Sequence, residues 1–171
     1  MSTLIVDSNL EGASSMSGAL HIALLADHPE AIPVLKGWYE SEWRGYYGPG
    51  GPGNAEEDLR AFARRDGLPV GVVAFQEGAL CGIAALKSAS IESHAHLMPW
   101  AAAGMVAPGL RGRGIGARML QALEGVARNL GFERIYCGTG TSESLLLRGG
   151  WKLVERIVHD GEGLSIFEKD L

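Results

Sequence analysis

Apolar and polar positions alternate between two periods along this chain, and the switches between them outline its elements. A short apolar run at 20–25 reads as a strand. His28, Pro29 and Glu30 then open a helix, with proline placed where a first helical turn tolerates it. Its apolar residues, Ile32, Leu35, Trp38, Tyr39 and Trp43, fall on one face. The segment 45–54 holds five glycines and two prolines and is expected to be irregular. Asn54 can cap a second helix carrying Leu59, Phe62 and Ala63 as its stripe. Runs rich in β-formers at 68–76 and 79–89 flank Glu77-Gly78, a hairpin signal. A third such run covers 98–107 and stops at Pro108-Gly109.

The strongest helical period lies at 114–130, through Ile115, Met119, Leu120, Leu123, Val126, Ala127 and Leu130, with Gly131 just beyond as a C-cap. A short strand at 134–137 and a short helix at 142–148 follow, the latter stopped by Gly149-Gly150. Alternating runs at 151–158 and 164–169 flank His159-Asp160-Gly161, a second hairpin. The order β-α-α-β-β-β-α-β-α-β-β predicts an α+β fold: a mixed, mostly antiparallel sheet with an embedded βαβ unit and flanking helices. Residues 1–19, rich in serine, glycine and small side chains, are expected to be a flexible tail with a short ordered piece at 4–6; residues 20–171 are expected to be a single domain.

Composition narrows the function. The 171 residues carry a net charge of −5, which argues against a nucleic-acid partner, since phosphates attract lysine and arginine. There is no apolar run long enough for a membrane span and no signal-peptide pattern. The two cysteines, Cys81 and Cys137, lie far apart in apolar runs and read as reduced core thiols of a cytoplasmic protein. They make no zinc site without histidines at ligand spacing, so no metal is expected.

The chemistry concentrates where a strand ends and the long helix begins. There Arg111, Gly112, Arg113, Gly114, Ile115, Gly116 and Ala117 follow one another. A helix start leaves its first N–H groups unpaired and at the positive end of the helix dipole, a site for a diphosphate. Glycines at alternate positions let phosphate oxygens approach the backbone, and the two arginines add positive charge. The stretch also matches G-x-G-x-x-G/A, the dinucleotide fingerprint. That pattern wants its first glycine directly after the strand and alternating strands and helices throughout. Residues 108–111 intervene here, and the 68–89 hairpin breaks the alternation.

The segment resembles the motif [QR]-x-x-G-x-[GA] of the GCN5-related N-acetyltransferases, matched by Arg111-Gly112-Arg113-Gly114-Ile115-Gly116. The preceding Val106-Ala107-Pro108, the later Gly149-Gly150-Trp151 with its hairpin, and the element order extend the resemblance to nearly the whole chain from His21. The resemblance implies acetyl-CoA as acyl-donor cosubstrate. The backbone at Met105 and Val106 would pair with pantetheine, an amide near Met105 would meet the acetyl carbonyl, and the amides of Arg111 to Ala117 would hold the diphosphate; Ser142 joins the cofactor-binding set. It also implies an N-acetyltransferase acting on a primary amine of a small molecule or peptide by direct attack in a ternary complex.

Where many members carry a tyrosine before the Gly-Trp step, this chain has Leu146, which cannot donate a proton. Ser142, Ser144 and Tyr136 are other donors within sequence reach. Glu92, His94 and His96, set just before the strand expected to line the acetyl site, are candidate bases, and Glu42 is another. The candidate catalytic residues are Glu92, His94 and Ser144. Tyr46 and Tyr47, with Glu40 or Glu42, are expected to shape a pocket for a cationic amine. An edge strand in the C-terminal hairpin would allow a homodimer. A non-catalytic acyl-CoA-binding or regulatory domain is the alternative that Leu146 leaves open.

Overall fold

The computed structural model describes residues 19–171, so the expectations for a tail and an ordered piece at 4–6 lie outside the described residues. A seven-stranded sheet runs in the order β1-β2-β3-β4-β5-β7-β6. Its strands are β1 (Leu20–Leu24), β2 (Val70–Gln76), β3 (Ala79–Lys87), β4 (Trp100–Val106), β5 (Arg134–Thr139), β6 (Lys152–His159) and β7 (Glu162–Asp170). Every neighbouring pair is antiparallel except β4 with β5. That parallel pair flanks the crossover helix α4 (Ile115–Asn129), the βαβ unit the pattern predicts.

The remaining helices are α1 (Ile32–Glu42), α2 (Arg44–Tyr47), α3 (Ala55–Phe62) and α5 (Glu143–Arg148). Helix α4 packs on one sheet face, where Ile115, Met119, Leu123 and Ala127 meet Val72, Ala84, Ala101, Ile135 and Cys137. The opposite face of the β2–β4 half is covered by α1 and α3, through Leu35, Tyr39, Leu59 and Phe62 on Val73, Ile83, Ala85 and Ala103. Further along that second face, Trp100, Tyr136, Leu164 and Ile166 pack under Ile91 of the β3–β4 connection. Successive residues of one strand therefore serve opposite layers, as the period-two pattern requires.

Local chemistry sets the boundaries. The Asn54 carboxamide accepts from the Glu57 amide at 3.0 Å and starts α3. Glu77 and Gly78, at φ 51° and 80°, form the β2–β3 turn, and Asp160 and Gly161, at 51° and 80°, form the β6–β7 turn. Two short 3-10 turns, Leu25–Asp27 and Pro29–Ala31, come before α1, so the helix begins later than Pro29 suggests. The expected irregular segment 45–54 needs a correction at its start. Arg44–Tyr47 closes one helical turn, with the Tyr47 and Gly48 amides donating to Trp43 and Arg44 carbonyls at 2.8 and 2.9 Å. Burial of Tyr47 against Tyr39, rings 5.6 Å apart and nearly parallel, outweighs the poor helix propensity of Gly45.

Candidate active site

The two parallel strands stay together only briefly. Trp100 pairs with Tyr136 and Ala101 with Cys137, and no pairing follows. Each strand is held on its other side. β5 remains paired with β7 as far as Thr139↔Ser165. β4 keeps to β3 but carries a bulge: between Ala85↔Ala102 and Ile83↔Met105, Ala103 and Gly104 oppose Ala84 alone. A bulge bends its strand and increases its twist. The ends of β4 and β5 therefore separate, and a gap opens whose edges carry backbone groups from Ala102 to Val106 and at Gly138 and Thr139.

Beyond the gap the chain turns through a 3-10 turn at Pro108–Leu110, then Gly112 and Gly114 at φ 80° and 81°. Gly114 is the N-cap of α4 and supplies no side-chain cap. The first intrahelical bond runs from the Arg118 amide to the Gly114 carbonyl at 3.2 Å. The amides of Ile115, Gly116 and Ala117 thus have no acceptor within the helix. A Cβ at Gly114 would meet nothing within 4 Å, so the space beside the helix start is open at that residue. The two arginines part company. Arg113 is exposed, whereas Arg111 turns inward: its Nε donates to the Val106 carbonyl at 3.0 Å and its Nη2 lies 3.5 Å from Glu42 at the end of α1.

A cavity of about 740 Å³ lies on the sheet face away from α4. Four segments line it: Glu42, Trp43, Arg44 and Tyr46 at the α1–α2 junction; Ser90 and Glu92 after β3; Gly140 and Thr141 after β5; and His159, Asp160, Glu162, Gly163 and Leu164 around the β6–β7 turn. Four carboxylates face one arginine and one histidine there, an environment suited to a cation, and Trp43 and Tyr46 add aromatic surface. Tyr46 and Tyr47, expected to act together, are divided. Tyr46 lines the cavity, but Tyr47 is core, its hydroxyl donating to Asp58 at 2.7 Å.

The candidate catalytic residues also separate. Glu92 lines the cavity. His94, on the same turn, points elsewhere: its Nε2 lies 2.8 Å from Glu155 on β6 and its Nδ1 2.8 Å from the Ser93 hydroxyl. Ser144 is exposed on α5, and Ser142 is fully buried in the β5–α5 turn, where its amide donates to the Thr139 hydroxyl at 2.8 Å. Tyr136 is packed on Trp100 with ring centres 5.6 Å apart, and Leu146 is fully buried under α4. Cys137, beside the gap, is pushed up to about 12 by burial and stays a protonated thiol. Asp160, Glu162 and Thr141 were not singled out by sequence pattern. Asp160 carries a strong turn signal that hides any second role, and the others carry none.

The sequence profile of the acetyltransferase (GNAT) family matches residues 35–145. No curated protein sequence matches the chain. Among solved structures, an aminoglycoside 6'-N-acetyltransferase complexed with coenzyme A is 14% identical, with a TM-score of 0.70 over 88% of this chain and 96% of that one. The structure of yncA from Salmonella typhimurium with its cofactor acetyl-CoA is 17% identical, TM-score 0.68, over 90% and 94%. A GCN5-related N-acetyltransferase from Kribbella flavida is 20% identical, TM-score 0.66, over 90% and 98%. At these identities the likeness is one of fold.

Proposed function

The chain belongs to the acetyltransferase (GNAT) family, and on that premise we propose that it transfers the acetyl group of acetyl-CoA to a primary amine of a small cationic molecule or peptide, by direct attack in a ternary complex. The observation that carries this reading is the run of unpaired amides at the start of α4, placed directly beyond the β4–β5 gap. A diphosphate fits the helix start, and the pantetheine arm fits the gap, where it would add the missing backbone pairing along Met105 and Val106. Two solved neighbours of the same fold hold coenzyme A and acetyl-CoA, which supports the assignment of the donor.

The chemistry follows from the layout. An acceptor ammonium entering the acidic cavity must lose one proton before it attacks. Glu92, directly or through a water, is the carboxylate we assign to that step. The free amine lone pair forms the new C–N bond at the thioester carbon, and the developing oxyanion meets an amide of the β4 bulge near Met105 that faces the gap. The C–S bond then breaks and sulfur leaves as a thiolate. Near the pKa of a simple thiol, about 8.5, it takes its proton from water or from the newly bonded nitrogen, which must lose one more proton to become the amide. Leu146 supplies no donor and none is needed for this leaving group. The protonated Cys137 is no nucleophile, which favours direct transfer over an acyl-enzyme.

A second reading, an acyl-CoA-binding domain without turnover, draws on the buried Leu146 at the place where many relatives carry tyrosine. Acetyl-CoA should raise the melting temperature under both readings. Adding a panel of amines should release free CoA thiol only if the chain is an enzyme; stabilisation with no thiol release across di- and polyamines, aminoglycosides and peptides would favour the binding domain.

A further inference from the structure

Three non-glycine residues in the described chain have positive φ: Glu77, Asp160 and Ala103. The first two sit in two-residue hairpin turns, where such angles are usual. Ala103 does not. It lies inside β4, at φ 54°, in the bulge that opposes Ala84. Alanine gains nothing from this conformation, because its Cβ crowds the backbone there. A residue held in a sparsely populated region persists only where its surroundings over-determine it, and such residues gather at functional sites.

The residue that determines Ala103 is identifiable. The hydroxyl of Tyr39, from α1, donates to the Ala103 carbonyl at 2.7 Å, and both residues are buried. The ring of Tyr39 is itself fixed, edge-on to Trp43 at 4.9 Å and stacked on Tyr47 at 5.6 Å, while Tyr47 is anchored to Asp58. Burial raises the Tyr39 phenol far above its ordinary value, so it remains a donor at any working pH. An ordinary core tyrosine would satisfy its hydroxyl on whatever carbonyl lay nearest. This one is aimed at the single strained carbonyl of the strand that edges the gap.

We propose that Tyr39 is a positioning residue: by holding the Ala103 carbonyl it keeps the β4 bulge formed and so fixes the direction of the Gly104 amide, on the gap side of β4, toward the reacting thioester. This rests on the acetyl-transfer reading for its catalytic consequence, but the bulge itself is observable without turnover. The aromatic contacts of Tyr39 provide the packing, and its hydroxyl provides the geometry. The two contributions separate in Tyr39→Phe, which keeps the ring and removes the bond.

The test uses four full-length proteins: wild type, Tyr39→Phe, Ala103→Gly and the double variant. Glycine adopts positive φ without penalty. It should therefore retain the bulge when the tyrosine bond is gone. Tyr39→Phe should lower kcat about tenfold or more, the size of effect a misplaced reacting group produces. The KM values for acetyl-CoA and amine should stay within about twofold, since ground-state binding is untouched. Adding Ala103→Gly should restore most of kcat. In the free proteins, amide hydrogen exchange at Met105, which pairs with Ile83 just after the bulge, should speed up in Tyr39→Phe and slow again in the double variant. Unchanged exchange and kcat in Tyr39→Phe, or a loss that glycine does not rescue, would overturn the proposal. If the wild type releases no thiol with any amine, the acetyl-transfer reading fails by itself, and the exchange experiment still decides whether Tyr39 holds the bulge.

Discussion

The proposed donor side and the proposed acceptor side of this site are built from different materials. The donor side is backbone: a strand end that has lost its neighbour and a helix start that has no cap, joined within residues 102–117. The acceptor side is side chains, brought from four segments between Glu42 and Leu164 onto the opposite face of the sheet. Backbone amides recognise what is common to all CoA thioesters and need only glycine and a helix to do it. Side chains recognise what differs between amines. The first half of the site can therefore stay fixed while the second is rewritten, and disturbing one half should leave the other measurable.

The largest effect should come from breaking the donor side alone. Gly114→Glu puts a carboxylate into the open space beside the helix start and should weaken CoA binding more than about 100-fold, by charge repulsion where a diphosphate sits. Gly114→Ala is its control. It carries the same left-handed backbone penalty of about 1–2 kcal/mol but no charge. It should lower the melting temperature while costing less than about tenfold in CoA affinity; equal losses from the two variants would mean that strain rather than the ledge explains them.

Breaking the acceptor side should do less and do it elsewhere. Glu92→Gln is expected to cut kcat about tenfold and to raise the KM for the amine, with CoA affinity unchanged, as removal of a single acid–base group and one carboxylate should. Tyr46→Ala should raise the amine KM about threefold through loss of an exposed cation–π face, leaving kcat within about twofold. An unmoved amine KM in both variants would place the acceptor outside this cavity.

The smallest effect concerns the packing that connects the halves. Burial raises both the Tyr39 and the Tyr47 phenols. In the unfolded chain they titrate near 10. Below that pH both states keep the protons and stability should not depend on these groups. Above it the unfolded chain releases protons that the folded chain keeps, so stability should fall as pH rises from about 10. Urea unfolding midpoints between pH 8 and 11 should show this decline, and Tyr39→Phe should flatten it.

The same contrast explains what could be read from sequence. The glycine turn was legible because its chemistry is local: a β period, alternate glycines and a helical period follow one another, and the backbone consequence is the same in any fold. The order of elements, the parallel pair and both hairpin turns were legible for the same reason. The cavity proposed for the acceptor was not, since Asp160 and Glu162 look like turn residues until the β6–β7 hairpin is laid beside Tyr46 and Glu92. Tyr47 was misjudged because glycines and prolines around it signal a loop, while its ring is held by Tyr39. His94 shared Glu92's segment but turns to Glu155, a difference that one residue step on a short turn decides. Arg111 matched the diphosphate pattern, yet its guanidinium is bonded to Val106 and set against Glu42. Tyr39 fell on the predicted core stripe, and its ring is core. The partner of its hydroxyl lies 64 residues away, at an alanine whose sequence gives no hint of positive φ beside a glycine that would accept it more easily.

The central claim is that the amides opening α4 grip a diphosphate. Calorimetric titration of the wild-type protein with CoA and with pantetheine, which keeps the thiol arm but lacks the diphosphate, tests it most directly. CoA should bind at least about 100-fold more tightly, the value of several charge-assisted hydrogen bonds. Equal affinity for the two would contradict the account.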